Sequence, residues 1–370
     1  MRFITDYGTP IATPAAGDGF IGMNTRDGFC GLYGSIADEK RLGRLYIIKG
    51  SSGCGKSTMM RRIADAADEA GYNVQSYLCS SDYTSLDAVV IDGRVAVVDG
   101  TSPHSLDMRY PGAASELIDL SVFWDCAMLS DARGDIERLS QIKSDGFGRA
   151  YGSLGYFGML CDDIIHDGNG CIDHEKMNGA IDRLVRSFGR PDGIGAREEL
   201  PVRAIGMRGR VRLPHFEDLA SAVYRIEDTY GTAYSFMSAA SQALSSVGCS
   251  ICISPDPICP TCISDIYIPH CRTLLTVEVG ESAERKINMD RFIIRDRLAA
   301  SRGGMRLAHK CSEVILAEAE EHLRSCADAH FEIEKIYGAA IDFESLDRYT
   351  SEVCDGILAA ADSERCRASH

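Results

Sequence analysis

Apolar residues early in the chain switch between strand-like runs and helical spacing. Residues 45–49 form a short apolar run, and from Met59 to Ala67 apolar residues recur at helical spacing. This pattern predicts a core strand over 45–49 and a helix over 56–70, ended by Gly71. Three further strands are predicted, at 72–79, 88–91 and 94–98, with an Asp92-Gly93 hairpin turn between the last two.

Beyond residue 112 the strand pattern gives way to helical spacing. Between about 112 and 190, apolar residues such as Leu139 and Ile142 favour helices interrupted by glycine-rich turns. We therefore expect a helical insertion without strands. Strand-like runs resume at 202–205, 250–253, 265–268 and 274–277, which predicts a second α/β unit.

The C-terminal segment carries apolar residues at alternating three- and four-residue steps from Ile315 to Tyr337. This spacing predicts a long amphipathic helix. A break near 338–345 precedes a second helix that starts near Leu346, so we expect a helical hairpin. The hairpin either packs on its own domain, which the short stripe favours, or presents a surface to a protein partner or a second copy of the chain.

The segment between the first strand and the first helix fills the pattern G-x-x-x-x-G-K-[ST]. Its residues are Gly50, Ser51, Ser52, Gly53, Cys54, Gly55, Lys56, Ser57 and Thr58. Strand, glycine loop and helix in this order are the context of a phosphate-binding loop. The glycines let backbone N–H groups cradle a β-phosphate. Lys56 is the cation for the β and γ oxygens, and Ser57 offers a hydroxyl to Mg²⁺.

An acidic residue at the end of a neighbouring core strand completes the magnesium shell of such a loop. Four apolar residues lead into Asp99, so we assign Asp99 and Ser57 to the metal. Many hydrolysing proteins with this loop have a glutamate next, which polarises water, but here Gly100 follows. Asp82 and Asp87, just past the second strand, are the nearest candidates for a base, or else they cap turns.

Asp82 also fits a different reaction. Small-molecule kinases with a phosphate-binding loop often hold an aspartate after the second strand, where it accepts a proton from the substrate hydroxyl. The sequence has no clear lid with paired arginines. A local cluster of Arg203, Arg208, Arg210 and Arg212 either reaches a γ-phosphate or forms a solvated face.

The 15 cysteines are scattered along the chain, and we expect reduced thiols. Cys54, beside Lys56 at a helix start, is either a reactive thiol or a small residue at a variable loop position. A second group lies later in the chain: Cys249, Cys252, Cys259, Cys262 and Cys271, with His270. That group forms either a zinc site or buried apolar cysteines, and its short spacing on a predicted strand favours the latter.

Composition places the chain among ordinary globular proteins, with 45% hydrophobic and 25% charged residues. The net charge of −15 argues against a field that attracts nucleic acid. No stretch approaches the length needed to cross a bilayer, and the N-terminus lacks a signal-peptide core. We therefore expect no membrane association and a cytoplasmic location.

The two α/β units align without gaps when residues 46–101 are laid over residues 223–278. The following positions then coincide: Gly71 with Gly248, Gly50 with Glu227, Lys56 with Ala233, and Ser57 with Tyr234. Identities are few, so spacing alone leaves a duplication open. If the units are copies, the second has lost the residues that hold phosphate.

Several segments, in order, carry a resemblance to a known family. They are Asn24-Thr25, Gly28-Phe29, the loop 50–58, Cys79-Ser80-Ser81-Asp82, Ser85-Leu86-Asp87, Val97-Val98-Asp99-Gly100-Thr101-Ser102-Pro103-His104 and Tyr110-Pro111-Gly112. In these segments the chain resembles a poorly characterised bacterial family of P-loop ATPases built from two tandem P-loop halves. The match covers most of the N-terminal third and, weakly, the rest.

The resemblance implies ATP as the ligand and favours a duplication. Family members commonly keep a second P-loop, whereas this chain has Tyr230-Gly231-Thr232-Ala233-Tyr234 there. The expected fold class is α/β of the P-loop NTPase type, with a three-layer α/β/α arrangement, a mostly parallel sheet, a helical insertion and a C-terminal hairpin. The expected segments are a P-loop half at 1–110, a mainly helical insertion at 111–200, a degenerate second half at 201–290 and C-terminal helices at 291–370.

The sequence thus predicts a protein that binds ATP and Mg²⁺ and hydrolyses ATP at one competent site. Lys56, Asp99 and Asp82 are the predicted catalytic residues. A small-molecule kinase with Asp82 as its base and a nucleotide-gated binding module with negligible turnover are the alternatives. A nucleoside triphosphate is the expected partner, and nucleic acid is not expected.

Overall fold

The structure is a computed structural model that describes residues 14–101, 106–189, 191, 193, 195–277 and 285–368. The strands are β1 (Gly19–Phe20), β2 (Gly22–Thr25), β3 (Gly28–Gly31), β4 (Arg44–Lys49), β5 (Val74–Leu78), β6 (Leu86–Ile91), β7 (Val95–Asp99), β8 (Ser115–Asp119), β9 (Arg197–Glu199), β10 (Arg203–Gly206), β11 (Gly209–Arg212), β12 (Ala222–Glu227), β13 (Ile251–Pro255), β14 (Ile263–Ile268), β15 (Thr273–Thr276) and β16 (Arg285–Asn288). The helices are α1 (Tyr33–Ile36), α2 (Lys56–Glu69), α3 (Cys126–Asp131), α4 (Arg133–Gly170), α5 (His174–Ser187), α6 (His215–Leu219), α7 (Ala233–Ser246), α8 (Arg295–Ala339) and α9 (Phe343–Ala368).

Two six-stranded mixed sheets make the fold α/β. The first sheet has the order β1-β5-β6-β7-β4-β8, and the second has the order β9-β13-β14-β15-β12-β16. In the first, β6 runs antiparallel to both neighbours and the other pairs are parallel. In the second, β14 is the strand antiparallel to both neighbours. The two sheets therefore share one topology.

The same order of elements occurs twice along the chain. Each half has an edge strand, a β-hairpin, a short helix, five further strands with one helix after the first of them, and then long helices. The ungapped register of 46–101 on 223–278 lays α2 on α7, β5 on β13 and β6 on β14. Glu278, at its end, lies outside the described residues, as do Ser102, Pro103 and His104.

Local predictions hold best in the first half. The helix predicted over 56–70 is confirmed as α2, and its apolar face is buried against the first sheet. The predicted hairpin turn is confirmed, because Asp92 and Gly93 have φ angles of 51° and 66° between β6 and β7. Since a left-handed pair matches the twist of the flanking strands, this turn sets their register.

The expectation that no strand lies between 112 and 190 is wrong. β8 forms the outer edge of the first sheet beside β4. Only Ser115 and Ile118 are buried in it, so it lacks the apolar run of a core strand. The helices of 111–200 and those of 291–370 occupy equivalent places in the two repeated halves.

The long helices α4, of 38 residues, and α8, of 45 residues, pack against each other. Leu139 packs with Ile333, and Gly146 lies against Cys326, so the two helices run antiparallel. The predicted helical pattern from Ile315 is confirmed within α8, which begins earlier, at Arg295. α9 packs on the first half, with Leu346, Cys354 and Ile357 in its core.

Each β-hairpin reaches across to the opposite half. At the tip of β10–β11, Met207 N donates to Ser81 O at 2.9 Å, while at the tip of β2–β3, Arg26 N donates to Ile258 O at 3.0 Å. These bonds are equivalent in the two repeats, so the halves exchange hairpins about an approximate two-fold axis. Within the described residues, no helix is both long enough and apolar enough to cross a bilayer.

Candidate functional site

Loop 1, defined as residues 50–58, joins the carboxyl end of β4 to the start of α2. Gly53 and Gly55 have φ angles of 76° and 90°, a backbone region that other residues rarely adopt. α2 begins directly after Gly55, so the free N–H groups of its first turn lie at the loop. A loop of this shape at a helix start favours anions.

Lys56 folds back over loop 1. Its Nζ donates to the carbonyl oxygens of Gly50 at 3.0 Å and Ser51 at 2.7 Å. The same Nζ lies 3.6 Å from Oδ2 of Asp99. Thr101 Oγ1 donates to Gly50 O at 2.7 Å, which ties the end of β7 to the loop. The ammonium is therefore held inside the loop rather than in solvent.

Asp99 and Asp87 lie beside each other at one edge of the first sheet. Asp99 ends β7, and Asp87 lies at the start of the antiparallel β6, where Ala88 pairs with Val98. Both are buried, at 7% and 4% exposure. Burial and the neighbouring Asp99 charge raise the pKa of Asp87 to about 8. These two carboxylates and the Ser57 hydroxyl line one cavity and form a cluster of oxygen atoms of the kind that bind metal ions.

Gly100, which follows Asp99, lies close to the Ile47 side chain of the neighbouring strand. A Cβ at position 100 would come within 2.4 Å of Cγ2 of Ile47 on β4. Real Cβ atoms essentially never come this close, so the Ile47 side chain would have to shift to admit one. The packing between β4 and β7 thus favours glycine at this position.

Asp82 is buried and held by two partners. Its Oδ1 accepts from Arg208 Nε at 2.6 Å and from Thr84 Oγ1 at 2.7 Å. Burial would raise the pKa of Asp82, but the bonds from Arg208 and Thr84 outweigh it and hold the pKa below its ordinary value. An aspartate in this setting is a weak base.

A cavity of about 930 Å³ lies over loop 1. Its floor is formed by loop 1 together with Asp82, Asp87 and Asp99, so the structure brings the sequence-predicted carboxylates together. The rest of its lining, which we call the wall, comes from α4, α8 and the tip of β10–β11. The wall side chains include Lys143, Phe147, Tyr151, Arg208, His330 and Phe331.

Sequence reasoning missed Lys143 and His330 as site residues. They meet only because α4 and α8 pair, and nothing in the local sequence shows that contact. A usable signal was His330 itself, because it interrupts the apolar stripe of α8 with a polar side chain. Arg208 was noted within an arginine cluster, and the structure shows that Arg208 is the member that lines the cavity.

The thiol of Cys54 does not have the environment of a reactive cysteine. Cys54 is 1% exposed. Burial raises the pKa of Cys54 and outweighs the nearby Lys56 charge, which lowers it. Its Sγ packs under the loop, where a Cβ on Gly50 would come within 2.5 Å of it. Cys54 therefore acts as a packing residue of loop 1.

Loop 2, defined as residues 227–235, is the counterpart of loop 1 in the second half. The side chain of Asp228 turns into it and accepts from Tyr230 N at 3.0 Å, Thr232 Oγ1 at 2.9 Å and Ala233 N at 3.0 Å. Asp228 is 8% exposed. The carboxylate occupies the N-terminus of α7, the position that an anion takes at such a helix start.

Thr276 occupies the position that is equivalent to Asp99 in the second half. Its Oγ1 donates to Asp265 Oδ1 at 2.6 Å. Arg203 grips Asp265 with Nε and Nη2 at 2.8 Å and 2.9 Å. Both members of this pair are almost fully buried. In the second half, an ion pair between side chains of the chain itself therefore occupies this place.

The late cysteines are not gathered around a common centre in the described part of the chain. Cys249 and Cys259 are buried in different apolar clusters. No group of three or more His, Cys, Asp or Glu side chains among the described residues is arranged to hold a metal ion. The chain as a whole matches no protein-family model, no curated protein and no solved structure.

Proposed function

We propose that this chain binds ATP with Mg²⁺ at loop 1 and hydrolyses it, as a P-loop NTPase with one competent site. The observation that carries the proposal is the position of Lys56. Its ammonium lies inside a glycine loop at a helix N-terminus, bonded to the carbonyl oxygens of Gly50 and Ser51. Such a charge, at a loop that favours anions, fits the phosphates of a nucleotide.

The residues around loop 1 also fit the metal. Mg²⁺ prefers hard oxygen ligands and retains several waters. Ser57, Asp87 and Asp99 supply such oxygens in one corner of the cavity. When bound, the ion would neutralise charge on the phosphates. Lys56 and the helix start then orient the phosphate chain, and the cavity wall limits access of water.

Hydrolysis at this site should be slow. Gly100, crowded by Ile47, takes the place of a water-polarising glutamate, and Asp82 is bonded to Arg208. Enzymes of this class gain large factors from a residue that orients the attacking water. We therefore expect turnover at the low end of the range for nucleotide hydrolases, although nucleotide affinity is retained.

We also infer that the two halves arose by duplication of one P-loop unit. Three observations support this inference: the repeated order of strands and helices, the shared sheet topology, and the ungapped alignment that lays α2 on α7. The resemblance to tandem P-loop ATPases points the same way. The second unit then keeps the fold and lacks the lysine.

Transfer of the phosphoryl group to a small molecule is less well supported. It requires Asp82 to accept a proton, yet Arg208 and Thr84 hold the pKa of Asp82 low. The cavity volume does leave room for a second ligand beside the nucleotide. An assay with an acceptor pool therefore belongs in the test.

The test is ATP binding and Mg²⁺-dependent turnover for the wild type, Lys56→Ala and the control Lys40→Ala, an exposed lysine outside the cavity. Lys56→Ala should lower turnover about 100-fold or more, the usual loss of a key electrostatic group, while Lys40→Ala has no effect. Phosphate release without acceptor supports the ATPase. ADP formed only with a metabolite pool supports the kinase, and tight binding without turnover supports a nucleotide-gated module. Unchanged binding and turnover in Lys56→Ala would refute the site.

A further inference from the structure

The cavity wall formed by α4, α8 and the tip of β10–β11 carries its own positive charges. Arg208 comes from the second half, and Lys143 comes from α4. Lys56, on loop 1, lines the same cavity, close enough for its charge to act on Lys143. Cations that line one cavity repel each other unless an anion lies between them.

The guanidinium of Arg208 is fixed in place by several contacts. The hairpin tip is anchored by Met207 N on Ser81 O at 2.9 Å, and Tyr83 OH donates to Arg208 O at 2.7 Å. The guanidinium lies over the ring of Phe331, 4.7 Å from its centroid. Its bond to Asp82 uses Nε, one of the five N–H donors that arginine has. Asp82 therefore orients Arg208 at the edge of the cavity.

Lys143 has an unusual partner for a half-buried ammonium. Its Nζ lies 3.1 Å from Nδ1 of His330, and Nε2 of His330 lies 3.4 Å from Oε1 of Glu334. The direct partner is thus an imidazole and not a carboxylate. Burial lowers the pKa of Lys143, and the Lys56 charge is among those that lower it further. An anion placed between the two lysines would stabilise both.

We propose that Arg208 and Lys143 bind the terminal phosphate of a nucleoside triphosphate whose inner phosphates lie on loop 1. This inference rests on the proposed function and deepens it. Arginine binds phosphate through paired N–H donors, and lysine binds it as a point charge. A diphosphate lacks the group that these residues hold, so the wall makes the site selective for triphosphate. Asp82 is then a positioning residue for Arg208.

The experiment compares dissociation constants for Mg–ATP and Mg–ADP by calorimetry in full-length protein. Arg208→Gln and Lys143→Gln should each weaken ATP binding about 10- to 100-fold, the range for a lost bond to a charged group. ADP binding should change less than about 2-fold. Arg210→Gln is the matched control, because Arg210 lies on the same hairpin and pairs with Glu320 at 2.6 Å, outside the cavity lining. It should leave both constants unchanged.

Equal losses for ATP and ADP in Arg208→Gln and Lys143→Gln would overturn the inference, as would no loss for either nucleotide. Arg208→Lys should restore part of the ATP affinity, whereas a purely structural role would not separate ATP from ADP. Should Arg208→Gln fail to fold, Lys143→Gln alone decides the question. Suppose that Lys56→Ala abolishes nucleotide binding, while the ratio of the ATP and ADP dissociation constants in Arg208→Gln and Lys143→Gln stays at the wild-type value. Then only this inference fails and the proposed function stands. Absence of nucleotide binding in the wild type would refute the proposed function as well.

Discussion

Loops 1 and 2 connect equivalent strands to equivalent helices, yet the charged side chain held inside the loop is a cation in loop 1 and an anion in loop 2. In loop 1 the Lys56 ammonium lies among carbonyl oxygens. In loop 2 the Asp228 carboxylate lies among N–H and O–H donors, with Ala233 at the lysine position. The anionic neighbour of Lys56 is Asp99, at 3.6 Å on β7, and the loop itself holds no carboxylate, whereas loop 2 contains its own.

The difference lies in how each half satisfies its buried charges. Loop 2 has a built-in carboxylate at its helix start, and Thr276 with Asp265 and Arg203 occupies the place that corresponds to Asp99. The first half keeps Asp87 and Asp99 close together, and their repulsion is offset only in part by the nearby Lys56. We therefore expect the second-half substitutions to cost more stability than substitutions at the corresponding places of the first half.

The largest effect is expected at the buried ion pair. Asp265→Ala leaves the Arg203 guanidinium buried without its partner and should lower the free energy of unfolding by about 3–5 kcal/mol. Asp99→Ala, at the first-half position equivalent to Thr276, removes a charge that repels Asp87 and should cost less than about 1 kcal/mol. Urea unfolding measures both. Equal losses of unfolding free energy would contradict the contrast between the second half, which has a buried ion pair at this place, and the first half, which has a cavity there.

Loop 2 should respond next most strongly. Asp228→Ala removes the acceptor of two backbone N–H groups and the Thr232 hydroxyl, so we expect a loss of about 1–3 kcal/mol. Ser51→Ala, at the equivalent place in loop 1, should change stability by less than about 0.5 kcal/mol. Thermal unfolding of the two variants without nucleotide makes the comparison. A larger loss in Ser51→Ala would show that loop 2 is not closed by its carboxylate.

Acid should weaken the second half through Asp265. Burial would raise the pKa of Asp265, but the Arg203 and Arg212 charges outweigh it and lower the pKa below its ordinary value. A lowered pKa in the folded state stabilises the protein above the unfolded value of about 3.9, and the stabilisation disappears as pH falls through the folded value. The difference in urea midpoint between wild type and Asp265→Asn should therefore shrink below about pH 4. A difference that stays constant from pH 7 to pH 3 would argue against this linkage.

The smallest effect concerns thiol labelling in the native protein. Cys126, Cys311 and Cys366 are exposed and should react with iodoacetamide, whereas Cys54 is buried under loop 1 and should not. Peptide mass spectrometry after brief labelling reads this out. Rapid labelling of Cys54 in the absence of nucleotide would mean that loop 1 opens readily, which would weaken its description as a preformed cradle.

Much of the first half could be predicted from sequence because its signals are local. An apolar run, a glycine loop and a helical stripe lie next to one another, so β4, loop 1 and α2 follow from neighbours in the chain. The position of Asp99 at the end of β7 could be predicted for the same reason. The ungapped register also located α7 correctly, because no insertion separates the equivalent helices from their strands.

The parts that could not be predicted are those that depend on distant contacts. β8, β9 and β16 are edge strands with few buried residues, so they carry no core pattern. The site wall needs α4 to meet α8 and a hairpin to cross between halves. Arg208 gains its place from Ser81 and Tyr83, more than a hundred positions away in the chain.

The antiparallel pairing of α4 with α8 also fixes when the cavity can exist during synthesis. Loop 1 emerges from the ribosome early, but its roof includes Glu334, near the end of α8. Until then the face of α4 that packs on α8 lacks that partner, and Phe331 and His330 have not yet been made. The lining of the cavity over loop 1 is therefore complete only after most of both halves has been synthesised.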